Sequence, residues 1–145
     1  MLYNFKRHLN IVHAEITSRI KEVAEHHPEI IAAYLYGSYA KGMEIKESDV
    51  DVALLISEQF TQNALYPFKI GGEIEKKLKR KVDVRILNGA SPSFLNQVFK
   101  YGKLVYSRDE KKRVSFEVQA LRAYLDIKPL HFEYNRIRRM RLHAG

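Results

Sequence analysis

The chain has 145 residues, 46% hydrophobic and 29% charged, which allows one folded core and is too apolar for a disordered segment. It has no cysteine, so disulfides and thiolate metal sites are excluded and any ion must be held by oxygen or imidazole. A net charge of +8 suits an acidic partner, whether nucleic acid, a nucleoside triphosphate or an acidic protein surface.

Much of the excess charge is local, in Lys76-Lys77, Lys79-Arg80-Lys81, Lys111-Lys112-Arg113 and Arg136, Arg138, Arg139 and Arg141. Each run taken alone reads equally well as a solvated helix face. No uninterrupted apolar stretch approaches the roughly 20 residues that span a bilayer. The first ten residues lack a signal-peptide apolar core. The expectation is a cytoplasmic chain without membrane contact, folded as one domain over 1–145.

In chain order, Phe5, Leu9, Val12, Ile16, Ile20 and Val23 recur every three or four residues, which predicts an amphipathic helix over about 2–27, stopped by Pro28. His8, His13, His26 and His27 lie in or beside it, at no spacing that lets two imidazoles share an ion on one helix face. They read as surface or cap histidines. Ile30 to Tyr36 is a β-branched and aromatic run ending at Gly37, a buried strand followed by a turn. Ser38 to Gly42 could form one helical turn, and Met43 to Ser48 a polar loop.

A second strand is expected from Val50 to Ile56, apolar enough to be covered on both faces. A helix over about Phe68 to Lys79 follows, its start blurred by Pro67 and Gly71-Gly72. Lys81 to Leu87 alternates strictly, with Val82, Val84 and Ile86 inward and Lys81, Asp83 and Arg85 on the other face. Ser91 and Pro92 open a helix that runs to Tyr101 and ends at Gly102, and Lys103 to Tyr106 forms a short last strand.

A C-terminal helical segment occupies about 109–143, with Val114, Val118, Leu121 and Leu125 as its core stripe and a kink or break at Pro129 before Tyr134 to Leu142. The run from Tyr134 to Arg141 interleaves Tyr134, Ile137 and Met140 with four arginines, as a nucleic-acid patch or a helix docking on an acidic protein would. The protein partner is the favoured reading, because 145 residues leave no room for domains that hold a template or primer. The fold expected is α/β: a small, mixed, twisted sheet flanked by helices.

The chemistry gathers between Tyr34 and Ile56. On a strand, the period of two points Asp49 and Asp51 to one side and Val50 to the other. Asp83 adds a third carboxylate on a later strand. Transferring a nucleotidyl group requires the triphosphate charge to be neutralised and the attacking oxygen activated, and two divalent ions held by carboxylates do both. Mg²⁺, an oxygen-seeking ion that keeps its waters, suits such a set. Gly37 lets backbone approach a phosphate closely, and the Ser38 hydroxyl can hold phosphate oxygen.

Gly37-Ser38, ten intervening residues, then Asp49-Val50-Asp51, with Asp83 on a later strand, resembles the signature of the polymerase-β-type nucleotidyltransferase superfamily. In its small size the chain is similar to the minimal nucleotidyltransferases, antitoxin partners of helical HEPN-type ribonuclease toxins. The resemblance implies a polymerase-β-like fold and ATP-dependent transfer of AMP to a tyrosine of the toxin, in a hetero-oligomer. Composition and spacing carry none of that target chemistry.

By the same resemblance, Gly37 and Ser38 bind the triphosphate, Asp49 and Asp51 bind both Mg²⁺ ions, and Asp83 completes one metal site and helps deprotonate the acceptor. Lys41 stands where the family often carries arginine, keeping the charge and losing the bidentate fork. Lys81 and Arg85 either contact phosphate or balance the acids. Tyr34, Tyr36 and Tyr39 surround the turn; packing is the default for them, with Tyr39 the candidate for stacking on a base. Two other readings are a non-catalytic antitoxin acting by contact and a small-molecule nucleotidyltransferase of the antibiotic-modifying kind.

Overall fold

The computed structural model describes residues 2–38, 40 and 49–144, with the side chains from residue 11 to residue 143. Lys41, Tyr39, most of the expected turn after Ser38 and the loop to Ser48 lie outside the described residues. The elements in order are α1 (Leu2–Glu25), β1 (Ile30–Tyr36), β2 (Val50–Ile56), α2 (Tyr66–Leu78), β3 (Val82–Ile86), α3 (Pro92–Tyr101), β4 (Lys103–Ser107) and α4 (Glu110–Ala144). No described helix is long and apolar enough to cross a membrane.

The strands form one mixed sheet in the order β3-β2-β1-β4. β1 runs antiparallel to β2 and β4, while β2 and β3 are parallel, joined through α2. The two central strands are apolar along their length because both faces are covered: every residue from Ile30 to Leu35 and from Val52 to Ile56 is buried.

One face packs Ala33, Leu35, Val52, Leu54 and Val84 against α1 and α2 through Ile16, Ile20, Ile70 and Ile74. The stripe expected on α1 does this work from Val12 onward. Each fully buried isoleucine contributes about 1.5–3 kcal/mol of transfer free energy. The other face packs Tyr34, Ala53, Leu55 and Leu87 against α3 and α4 through Leu95, Val98 and Ala120.

Element ends follow local chemistry. The Ser91 hydroxyl accepts the Phe94 N–H at 3.2 Å, capping α3 behind Pro92. α2 begins at Tyr66 rather than near Phe68, since Pro67 occupies a first-turn position where its missing N–H costs nothing. It ends through Lys79 in the left-handed conformation, φ +55°.

Two long-range devices were not readable from the chain. Arg108 places its guanidinium on the carbonyls of Ala24, Glu25 and Ile30 at 3.2, 3.1 and 3.1 Å, closing the C-terminus of α1. His27, expected to be a surface or cap histidine, is wedged between Glu29 at 3.1 Å and Glu73 at 2.5 Å, tying the end of α1 to α2.

α4 departs most from expectation. Val114, Val118, Leu121 and Leu125 are not core: they are 40–53% exposed. Phe116 and Ala120 face the sheet instead, and Glu117 accepts the Tyr34 hydroxyl at 2.6 Å while Arg113 bridges Glu117 at 2.8 Å and forks Glu110. Periodicity groups residues on a face, and α4 has apolar residues on more than one. Nor does Pro129 break the helix: α4 is continuous through it. The lost N–H and the ring clash are tolerable where solvent surrounds the backbone and no packed neighbour fixes its line.

Candidate active site

The site forms where β1 ends, β2 begins and β3 runs alongside. In the ladder Tyr36 stands opposite Asp51, and Asp51 stands beside Asp83, so the two carboxylates occupy neighbouring positions on adjacent strands. Asp49 lies just before β2, exposed, while Asp51 is half-buried within it. The start of β2 is tied to β3 by the Val50 N–H donating to the Lys81 carbonyl at 2.9 Å. Alternation then sends Val82 and Val84 into the core and leaves Asp83 and Arg85 on the open side.

Gly37 follows Tyr36 with φ +74°. A Cβ at that position would meet the Asp51 carboxylate oxygen well under 3.0 Å, closer than real contacts come. Both the backbone conformation and the space therefore require glycine. Ser38 continues the turn beside it, half-buried.

Electrostatics mark the same place. Burial raises the Asp51 carboxyl above the ordinary range, and the charges of Asp83 and Asp49 push it further, against a smaller pull from Arg85. Burial and the same Asp51 and Asp83 charges push the Tyr36 phenol up to about 12. The acids thus repel one another across an open face, a donor set that fits a hard cation. Among the described residues, no group of three or more His, Asp or Glu side chains is closed up tightly enough to hold an ion as placed.

Arg85 completes the rim. Its Nε lies 3.6 Å from Asp83 Oδ2, and its guanidinium stands 5.6 Å from the centre of the Phe94 ring. Phe94 in turn meets Tyr36 edge-to-face at 5.6 Å. Arg85 and Phe94 also line a cleft of about 650 Å³ with Gln62, Asn63 and Pro67. The spacing of Phe94 places it within α3, and nothing in that spacing shows that α3 delivers it beside the acids. Tyr34 is core, its ring 5.3 Å from Phe99.

Against known proteins, the family described as polymerase beta, nucleotidyltransferase matches residues 18–111. The chain is 27% identical over 105 residues to protein adenylyltransferase MntA of Shewanella oneidensis, covering 72% of this chain and 73% of that protein. Its fold is similar to a chain of a toxin-antitoxin crystal structure with AMP-PNP, with TM-score 0.67, 22% identity and coverage of 89% and 98%. It is similar also to a chain of the tri-AMPylated Shewanella oneidensis HEPN toxin in complex with MNT antitoxin, with TM-score 0.59, 20% identity and coverage of 94% and 99%.

Proposed function

Because the chain belongs to the polymerase β nucleotidyltransferase family, we propose that it is a Mg²⁺-dependent protein adenylyltransferase, an antitoxin that silences a HEPN-type toxin by placing AMP on a tyrosine. The observation that carries this is the register of Tyr36, Asp51 and Asp83 across three strands, with Gly37 turned against the Asp51 carboxylate. The MntA relative, named a protein adenylyltransferase, and the fold neighbours with AMP-PNP and an AMPylated toxin support the choice of nucleotide and acceptor.

Asp49 and Asp51 would hold both Mg²⁺ ions, and Asp83 would complete one of the two sites. When bound, the ions neutralise triphosphate charge and polarise the α-phosphate. Gly37 N–H and the Ser38 hydroxyl hold phosphate oxygens, and Lys41 adds a point charge to them. Asp83 takes the proton as the tyrosyl oxygen attacks the α-phosphorus. The new O–P bond forms as the bond to the bridging oxygen breaks, and pyrophosphate leaves.

Arg85 balances Asp83 until substrate arrives and then faces the incoming phosphates. Incubation with Mg²⁺, α-labelled ATP and a co-expressed acceptor protein should label the acceptor. The Asp49→Asn, Asp51→Asn variant should lose this roughly a thousandfold or more, since several kcal/mol of transition-state charge stabilisation go with the carboxylates. Equal labelling by both proteins would rule the mechanism out.

A further inference from the structure

α4 divides at Pro129. Before it, the helix lies on the domain by one side. From Lys128 to His143 every residue is exposed, so these 16 residues project about 24 Å beyond the domain at 1.5 Å per residue. This arm is not a polar tail: Leu130, Phe132 and Leu142 are 68%, 65% and 72% exposed. It continues a helix whose outer side already presents Val114, Val118, Leu121 and Leu125 to solvent.

Val114, Val118, Leu121, Leu125 and Phe132 recur on one side at helical spacing, and monomeric proteins rarely leave such a stripe open.

Charge selects the occupant. Over 110–144, α4 carries nine Lys and Arg against four Asp and Glu, a net of +5 out of the chain's +8. Pairing α4 with a second copy of itself would set +5 against +5, which costs rather than gains. Nucleic acid would answer the arginines but leave the outer stripe of Val114, Val118, Leu121 and Leu125 wet. An acidic protein surface with apolar ridges answers both.

We infer that the outer face and free arm of α4 form the docking surface for a separate protein with an acidic rim. Its apolar ridges cover Leu121, Leu125 and Phe132, and its acids meet Arg136 and Arg139, which helical spacing sets on the same side. This rests on the transfer reading in taking that protein to be the acceptor. Docking through α4 then holds the acceptor in place while its tyrosine reaches the acids, so affinity and chemistry reside in separate parts of the chain.

The test separates the two. Binding of the co-expressed acceptor is measured on an Asp49→Asn, Asp51→Asn background, where no AMP transfer intervenes. Leu121→Asp, Leu125→Asp should weaken it about tenfold or more, as loss of central anchors does. Arg136→Glu, Arg139→Glu should weaken it with a reduced salt dependence. Both pairs are exposed and should leave the thermal melt unchanged. In the active protein the same changes should raise KM for the acceptor and spare kcat.

Unchanged acceptor binding in both variants overturns the inference. So does a dimer of the chain alone that Leu121→Asp dissolves, which would make a second copy the occupant. Salt-steep binding of RNA or duplex DNA, lost in the arginine variant while acceptor binding stays intact, overturns it as well. Tight acceptor binding without labelling by the active protein would support the docking surface and sink the transfer reading.

Discussion

The two faces of the sheet are built from the same alternating strands and end in opposite conditions. The face under α1 and α2 is sealed, with Ile16, Ile20, Ile70 and Ile74 all at 1% exposure or less. The face under α3 and α4 is sealed only in its middle and leaves Asp51, Asp83 and Arg85 open where β1 and β3 come together across β2. Stability is concentrated on the first and unfavourable charge on the second. A protein that must hold three carboxylates near one another can do so only where water or a cation reaches them.

The sharpest way to break this contrast is on the sealed side. Ile70→Ala should cost about 2–5 kcal/mol in a denaturant titration, because the cavity it leaves cannot drain to solvent. Residual nucleotide binding at low temperature should persist.

Gly37→Ala attacks the seam between the faces. The positive φ and the collision with Asp51 should cost about 1–3 kcal/mol. Activity should fall further than stability does, since the carboxylate that must move aside is the one proposed to hold the ions.

On the open side the expected effect is smaller and has the opposite sign. The folded-state pKa of Asp51 lies above its unfolded value, so folding favours the protonated form. The stability this contributes is present below the unfolded pKa, roughly 4, and is lost as pH rises through the folded pKa. Asp51→Asn should therefore melt higher than the parent at neutral pH without divalent ions. The gain should vanish as pH falls into the ordinary carboxylate range, and Mg²⁺ should raise the parent's melting point more than the variant's.

The smallest change lies far from both faces' interiors. Lys79→Gly relieves a left-handed φ of +55° and should add about 0.5–1 kcal/mol without altering transfer.

How far the chain could be read varied with the range of the interaction. The strict alternation of Lys81 to Leu87 showed which side Asp83 would take, because a strand's period is a local property. The cap at Ser91, the stop at Gly102 and the apolar runs of β1 and β2 were local in the same sense.

Periodicity misplaces the core side of α4 because its outer stripe and its packed side are both apolar; the contact is made by Phe116, Ala120 and a Tyr34–Glu117–Arg113 chain. That chain joins residues 83 positions apart, and the Arg108 clasp on α1 does the same over 78 to 84. No window on the sequence contains both partners of either.

The sequence alone determined a set of groups: glycine and serine in a turn, two acids two residues apart at the mouth of a strand, and a third acid on an alternating one. Residue type and strand period suffice for that set, and its resemblance to the nucleotidyltransferase signature supplied the reaction. Only the tertiary structure decided that Asp51 and Asp83 are neighbours, that Gly37 is held against Asp51, and that Phe94 and Arg85 border the site. It also decided which side of α4 faces out. These depend on which strands pair and in what register, and hydrophobic burial settles that for the whole molecule at once.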